Sequence, residues 1–117
     1  MNPLRAWWEE DRGVTQRFYN QVLGAWGDAP YFCEPWICEQ VVAMHLKSPA
    51  MLTVLPLQDW LAMDGELRRE NPNDERINVP ANSRHYWRYR MHLSLEELLK
   101  ADNLNAMIRQ KIAESGR

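Results

Sequence analysis

Several features that would assign a function directly are missing from this sequence. No apolar run approaches the roughly 20 residues of a membrane-spanning helix, and residues 1–5 lack the charged and apolar regions of a signal peptide. A formal net charge of −2 provides no overall positive field that would attract nucleic acid or an anionic membrane. Neither an internal repeat nor a low-complexity segment is present. The sequence therefore predicts a cytoplasmic protein of one small domain at most.

Cysteine is scarce, and its spacing argues against a metal site. Cys33 and Cys38 are separated by four residues, and no pair of histidines stands nearby at the spacing of zinc ligands. Cytosolic thiols stay reduced, so both cysteines are expected to be reduced and structural. No metal and no cofactor is expected.

Tryptophan, in contrast, is abundant, with six residues in a chain of 117. Large rings either fill a core or offer flat surfaces for ligands, and the core is the commoner place. Leu4, Trp7 and Trp8 fall at positions i, i+3 and i+4 after Asn2 and Pro3, which predicts a helix with its N-cap at Asn2. The two tryptophans could form an aromatic platform for sugars, but the helical spacing favours burial.

Further helices follow from stop, start and capping signals. The first helical region is predicted to continue, with Thr15 capping its second turn, as far as Gly24. A second helix, apolar on more than one face, is predicted over residues 35–47. The capping box of Ser94 and Glu97 begins a last helical region.

Two short segments between these helices have the pattern of strands. Residues 51–57 form an unbroken apolar run, as in a parallel strand covered on both faces, and residues 77–80 are a shorter candidate. The charged residues 64–75 predict a solvated connection between them. A doubly covered strand needs neighbours on both edges, which this chain alone cannot supply. The sequence therefore predicts an α/β fold, mostly helical with about two short parallel strands, that forms part of a larger sheet.

Five stretches, taken in order, carry a resemblance to a known enzyme family. They are residues 3–11, 45–50, 55–60, 77–80 and 85–90. Together they resemble the C-terminal end of the amylomaltase and disproportionating-enzyme family of 4-α-glucanotransferases, glycoside hydrolase family 77. The resemblance covers most of the chain. It implies that residues 1–117 are an incomplete domain, the C-terminal fragment of a catalytic (β/α)₈ TIM barrel.

The most detailed match lies around residue 80. Common family members carry Asn-x-Pro-Gly, four residues, and then Asn-Trp-x-Trp-Arg. This chain has Asn78-Val79-Pro80-Ala81, four residues, and then Tyr86-Trp87-Arg88-Tyr89-Arg90. The departures at Ala81 and Tyr86 are similar to the long cytosolic subtype of plants and some bacteria, which resembles maltose-processing transferases with starch-binding domains ahead of the barrel.

The resemblance implies a retaining transfer between α-1,4-glucans such as maltose, maltodextrin, glycogen or starch. In such a reaction two carboxyl groups about 5 to 5.5 Å apart act as nucleophile and general acid/base. The family's third carboxylate, in a Thr-His-Asp sequence, would stand directly ahead of Met1. None of the sixteen acidic residues of this chain is then expected to be catalytic. The chain alone is expected to be inactive and, because its apolar surface lacks the rest of the barrel, to self-associate or to be marginally stable.

Four residues are candidate substrate contacts under this resemblance. Asn78 matches a family asparagine that hydrogen-bonds a sugar hydroxyl, and Gln58 and Asp59 follow the longer predicted strand at the same face of the barrel. Trp87 offers a ring on which a sugar can stack. Two structural alternatives stay open: Asn78 stabilises a turn, or Asp59 caps a short helix through Met63.

Other functions fit parts of the pattern less well. Arginines alternate with aromatic residues over 84–90, as in proteins that bind nucleic acid, but the acidic total weighs against that function. The tryptophans would suit a non-catalytic carbohydrate-binding module, yet such modules are usually all-β. His45 lies on an apolar helix without a chelating partner and is expected to be structural.

Overall fold

The computed structural model describes residues 3–117, which form helices joined by irregular segments. The α-helices of this part, α1 to α6, span Leu4–Glu10, Arg12–Arg17, Pro35–Lys47, Leu57–Leu61, Leu95–Leu99 and Asp102–Glu114. A π-helical turn at Phe18–Val22 extends α2, and a 3₁₀ helix forms at Pro72–Glu75. None of the helices in these described residues is long and apolar enough to cross a membrane. The N-cap predicted at Asn2 lies outside the described residues.

A side-chain cap marks the start of α2, and a glycine marks the end of the first helical region. The Asp11 carboxylate accepts hydrogen bonds of 3.0 and 3.2 Å from two backbone N–H groups in the first turn of α2. Thr15, which was expected to cap this turn, is buried and donates its hydroxyl to the Trp8 carbonyl at 2.7 Å instead. Gly24 has a φ of +67°, the left-handed conformation that follows many helices, so the predicted stop is confirmed.

Helix α3 provides much of the core. It begins at Pro35 and ends at Lys47, as the sequence predicts. Trp8 from α1 is fully buried with this helix and donates its indole N–H to the Pro30 carbonyl at 2.9 Å, so its prediction as a core residue is confirmed. The buried core cluster comprises Trp8, Cys33, Ile37, Cys38, Val42, Leu46, Leu61, Ala62, Met63 and Leu104.

Both cysteines belong to this core as free thiols. The two sulfur atoms of Cys33 and Cys38 are 3.4 Å apart, and each side chain is buried. The hydrogen bond that Cys33 shares with Cys38, together with burial, raises the pKa of the Cys33 thiol far above its usual value. Cys33 therefore supplies little reactive thiolate, which fits its expected structural role.

Neither predicted strand forms among residues 3–117. Residues 51–56 have no regular secondary structure, and Met51, Leu52 and Val54 are 99%, 77% and 80% exposed. Residues 77–80 lead directly into a turn. The prediction of a buried strand at 51–57 is wrong for this chain, because a strand is completed by a hydrogen-bonded neighbour and no described segment supplies one.

The predicted last helical region is divided in two. Helix α5 keeps the expected capping box, in which Ser94 and Glu97 exchange hydrogen bonds of 2.9 and 3.1 Å. Helix α6 begins separately at Asp102 and packs against α3, with Lys111 paired to Glu39 at 2.7 Å.

Candidate functional site

A buried ion pair between Arg5 and Glu75 lies at the centre of the candidate site. Their charged atoms are 2.8 Å apart, and the two residues are 4% and 2% exposed. Arg5 also donates to the carbonyls of Arg69 and Glu70. Burial raises the pKa of the Glu75 carboxyl, and the Arg5 guanidinium opposes that shift. The segment before Glu75 is thus fixed against α1, and the prediction of a wholly solvated connection at 64–75 is wrong.

Gln58 and Asp59 lie at the start of α4, close to this ion pair. Gln58 is buried, and its side-chain amide donates to the Glu75 carbonyl at 3.4 Å. The Asp59 carboxylate accepts the backbone N–H of Leu4 at 2.9 Å. Asp59 therefore caps α1, a helix distant in sequence, rather than the short helix in which it lies.

Asp59 also lines an apolar cavity together with His45. Burial raises the pKa of the Asp59 carboxyl, while the Leu4 hydrogen bond and the nearby His45 oppose the shift. His45 Nδ1 lies 2.8 Å from the Val41 carbonyl one turn earlier in α3, which satisfies one ring nitrogen and fits its expected structural role. The cavity has a volume of about 410 Å³ and is further lined by Leu4, Trp7, Phe18, Val41, Val42, Met44, Val54, Leu55 and Pro56.

Asn78 follows Glu75 by three residues, so the chain keeps the two backbones within about 10 Å of each other. Its side chain is half-buried. The turn after it is closed by Asn82, which donates its N–H to the Val79 carbonyl at 2.9 Å and accepts the Arg84 N–H on its side chain at 3.0 Å. Asn82 thus stabilises the turn that follows Asn78. Sugar contact by Asn78 stays a prediction.

Trp87 lies nine residues beyond Asn78 on an irregular segment and is 71% exposed. The arginines around it contact aromatic rings of the same chain. The Arg88 guanidinium lies 5.5 Å from the Tyr86 ring centroid, and that of Arg69 lies 5.6 Å from the Tyr89 ring centroid. A hydrogen bond connects Gln58 to Glu75, three residues before Asn78. Trp87 is exposed to solvent, and its role in stacking on a sugar stays a prediction.

The ion pair at the centre of this site is what sequence reasoning missed. Arg5 lies in the first matched stretch, and Glu75 ends a charged run that looks like a solvated surface. A separation of 70 residues leaves no local spacing pattern that could have joined them. Within the described chain, no group of three His, Cys, Asp or Glu residues could hold a metal ion. The two carboxylates of the site form a helix cap and an ion pair, and so hold backbone segments in place.

Comparison with known proteins identifies the family. The family model described as 4-alpha-glucanotransferase matches residues 1–96. The chain is 40% identical to 4-alpha-glucanotransferase DPE2 of Oryza sativa subsp. japonica over 114 residues. The matched region covers 97% of this chain and 12% of that relative. Over 110 residues it is 31% identical to a 4-alpha-glucanotransferase of Chlamydia caviae, covering 90% of this chain and 19% of the relative. The corresponding protein of Chlamydia muridarum is 29% identical, with 20% of its length covered.

The chain spans only about 12 to 20% of the length of these curated relatives. No solved structure matches it significantly. The family match, however, extends over most of the chain and includes all five stretches that carry the resemblance. The chain therefore belongs to the 4-alpha-glucanotransferase family, glycoside hydrolase family 77.

Proposed function

We propose that residues 1–117 are the C-terminal part of the catalytic barrel of a 4-α-glucanotransferase. The parent enzyme transfers α-1,4-glucan segments or glucosyl units between maltodextrins, with maltose, glycogen or starch as related substrates. The observation that carries the proposal is the family match over residues 1–96. The relatives that match along nearly the whole chain bear the same name, which supplies the class of reaction.

Two structural features support a place within a larger barrel. Residues 51–56 are mostly apolar and have no regular secondary structure, and Met51, Leu52 and Val54 are exposed, as expected of a barrel strand when the strands beside it are missing. The residues that follow this segment, Gln58 and Asp59, are already held against Glu75 and Leu4. The end of this strand would therefore be fixed before its neighbours pair with it.

The long subtype is the proposed source of the chain. The chain covers a smaller share of the rice relative, 12%, than of the chlamydial relatives, 19% and 20%, so the rice protein is the longer one. Identity to the rice protein, 40%, also exceeds that to the chlamydial proteins, 31% and 29%. Ala81 and Tyr86 depart from the common motif in the way that the long subtype does.

The chain by itself is proposed to be inactive. Retaining transfer needs a nucleophile and an acid/base held on either side of one bond, and each contributes little without the other. Under the family resemblance both stand upstream of Met1. The half-buried carboxylate of Asp59 and the buried carboxylate of Glu75 are engaged in a helix cap and an ion pair.

Assays on maltotriose test this function. The parent enzyme is expected to release glucose and to redistribute chain length toward longer maltodextrins, whereas the purified 117-residue chain gives neither product. A mock purification from the same host controls for contaminating enzymes. Hydrolysis by the parent without longer products, or amylose binding without any turnover by the parent, would contradict the proposal, and the second result would favour a carbohydrate-binding module.

A further inference from the structure

A surface cleft lies outside the site formed by Arg5, Glu75, Gln58 and Asp59. It is an open cleft of about 650 Å³ between the loop that precedes α3 and the segment that precedes the 3₁₀ helix. This volume is within the range of ligand pockets. One wall carries the adjacent rings of Tyr31 and Phe32, and the other carries charged and amide side chains.

The aromatic wall is exposed but firmly held. Tyr31 and Phe32 are 60% and 54% exposed, and their rings pack edge to face with centroids 4.9 Å apart. The guanidinium of Arg12 donates to the carbonyls of residues 29, 30 and 31 at 3.0 to 3.2 Å and lies 5.4 Å from the Tyr31 ring centroid. The Trp8 indole anchors the same loop at residue 30. Two large rings are thus exposed to solvent on a loop whose backbone is already held by these hydrogen bonds before any ligand binds.

The opposite wall of the cleft is polar. It is lined by the carboxylates of Glu9, Glu70 and Asp74, the amide of Asn71 and the guanidinium of Arg69. Arg68 closes one end by donating to the Cys33 carbonyl at 2.6 Å, directly after the aromatic pair. Carboxylates, an amide and a guanidinium along one wall offer both acceptors and donors to a ligand in the cleft.

The charges of the cleft narrow the class of ligand. Acidic and basic side chains both line it, so neither a strong anion nor a strong cation is favoured. A sugar combines apolar C–H faces, which pack on aromatic rings, with hydroxyl groups that donate and accept hydrogen bonds. We propose that this cleft binds a segment of α-1,4-glucan, with Phe32 and Tyr31 as the packing surface and Glu9 and Arg69 as hydrogen-bonding partners. The choice of glucan rests on the proposed function.

Titration of the 117-residue chain with maltoheptaose, followed by NMR shift changes, tests the cleft. Phe32→Ala is expected to weaken binding about fivefold or more, which is within the range of a lost aromatic contact. Glu9→Gln is expected to weaken it about threefold, because hydrogen bonds to a charged acceptor are the stronger ones. Trp26→Ala is the matched control, since Trp26 is 95% exposed and does not line the cleft. Circular dichroism and melting curves confirm that each variant is folded.

Cellohexaose and inorganic phosphate serve as competing probes. Saturable maltoheptaose binding that depends on Phe32 and Glu9 but not on Trp26 supports the cleft. Absence of saturable binding by the folded chain overturns it, as does unchanged affinity in both cleft variants, equal affinity for cellohexaose, or binding of phosphate in place of glucan. Transfer by the parent enzyme is measured separately, so transfer without binding at the cleft overturns this inference alone.

Discussion

The carboxylate of Asp59 caps a helix that starts 55 residues earlier, accepting the Leu4 backbone N–H at 2.9 Å. Helix α1 has no side-chain cap from its own N-cap residue, Pro3. Its first turn is therefore stabilised by a residue that the sequence analysis assigned to a substrate site or to a local cap. The contact ties the start of α1 to the end of the segment proposed as a barrel strand.

Removing this cap should destabilise the chain. Asp59→Ala is expected to lower the free energy of unfolding by about 1 kcal/mol, the usual cost of a lost N-cap. Asp59→Asn keeps an oxygen acceptor at the same place and should cost less. Urea denaturation of the three proteins measures the difference. An Asn variant as unstable as the Ala variant would show that the hydrogen bond to Leu4 is not what Asp59 contributes.

The carboxyls of Asp59 and Glu75 should make the folded chain more stable as the pH falls. Burial raises the pKa of both Asp59 and Glu75 in the folded chain, so the folded state binds protons more readily than the unfolded state. The two carboxyls contribute fully to the free energy of unfolding below their pKa values in the unfolded chain, near 4. This contribution is lost as the pH rises through their higher pKa values in the folded chain. Acidification from pH 7 toward 4 should therefore stabilise the wild-type chain relative to Asp59→Asn. A constant difference between the two proteins across this range would contradict the assignment.

The ion pair of Arg5 and Glu75 should be costly to break from one side. Arg5→Met leaves a buried carboxylate without its partner and is expected to cost about 3 to 5 kcal/mol. The double variant Arg5→Met/Glu75→Leu should lose less than the sum of the two single changes, because the charges are removed together. Denaturant melts of the four proteins give the coupling free energy.

The ion pair of Lys111 and Glu39 is the matched control for this cycle. Its side chains are 17% and 34% exposed, so its coupling free energy should stay below about 1 kcal/mol. Equal coupling at the two pairs would mean that burial does not set the strength of the contact between Arg5 and Glu75.

Asn78 is best tested in the intact parent enzyme. Asn78→Ala is expected to lower kcat/KM for maltodextrin transfer about ten- to a hundredfold, the effect of losing a hydrogen bond worth roughly 1 to 3 kcal/mol in the transition state. Folding should be nearly unchanged. Asn82→Ala is the matched control, because Asn82 closes the adjacent turn. Normal kinetics for Asn78→Ala beside impaired kinetics for Asn82→Ala would assign the site to the turn instead.

Local signals in the sequence predict the helices well. Pro35 and Lys47 bound α3, the capping box of Ser94 and Glu97 begins α5, and Gly24 ends the first helical region, because each of these signals acts within one turn of chain. The strand at 51–57 is wrong for the opposite reason. An unbroken apolar run is typical of a strand that other elements cover on both faces. Residues 3–117 do not provide that cover, and Met51, Leu52 and Val54 are exposed.

The sequence likewise predicts only part of the candidate site. Gln58 and Asp59 could be selected from their position after the apolar run, but their partners Glu75 and Leu4 could not, since both contacts join distant parts of the chain. Arg5 and Glu75 each look like ordinary charged surface residues until the fold brings them together. Contacts made at long range in sequence are therefore what the structure adds.

Complementation of transferase activity tests the central claim most directly. The upstream part of the parent barrel and the 117-residue chain are purified separately, and glucose release from maltotriose is followed for each alone and for the mixture. Neither part alone should show turnover, because under the proposal one lacks the end of the barrel and the other lacks the catalytic carboxylates. The mixture should regain activity, and Arg5→Met in the chain should reduce it. Turnover by the purified chain alone would contradict the account.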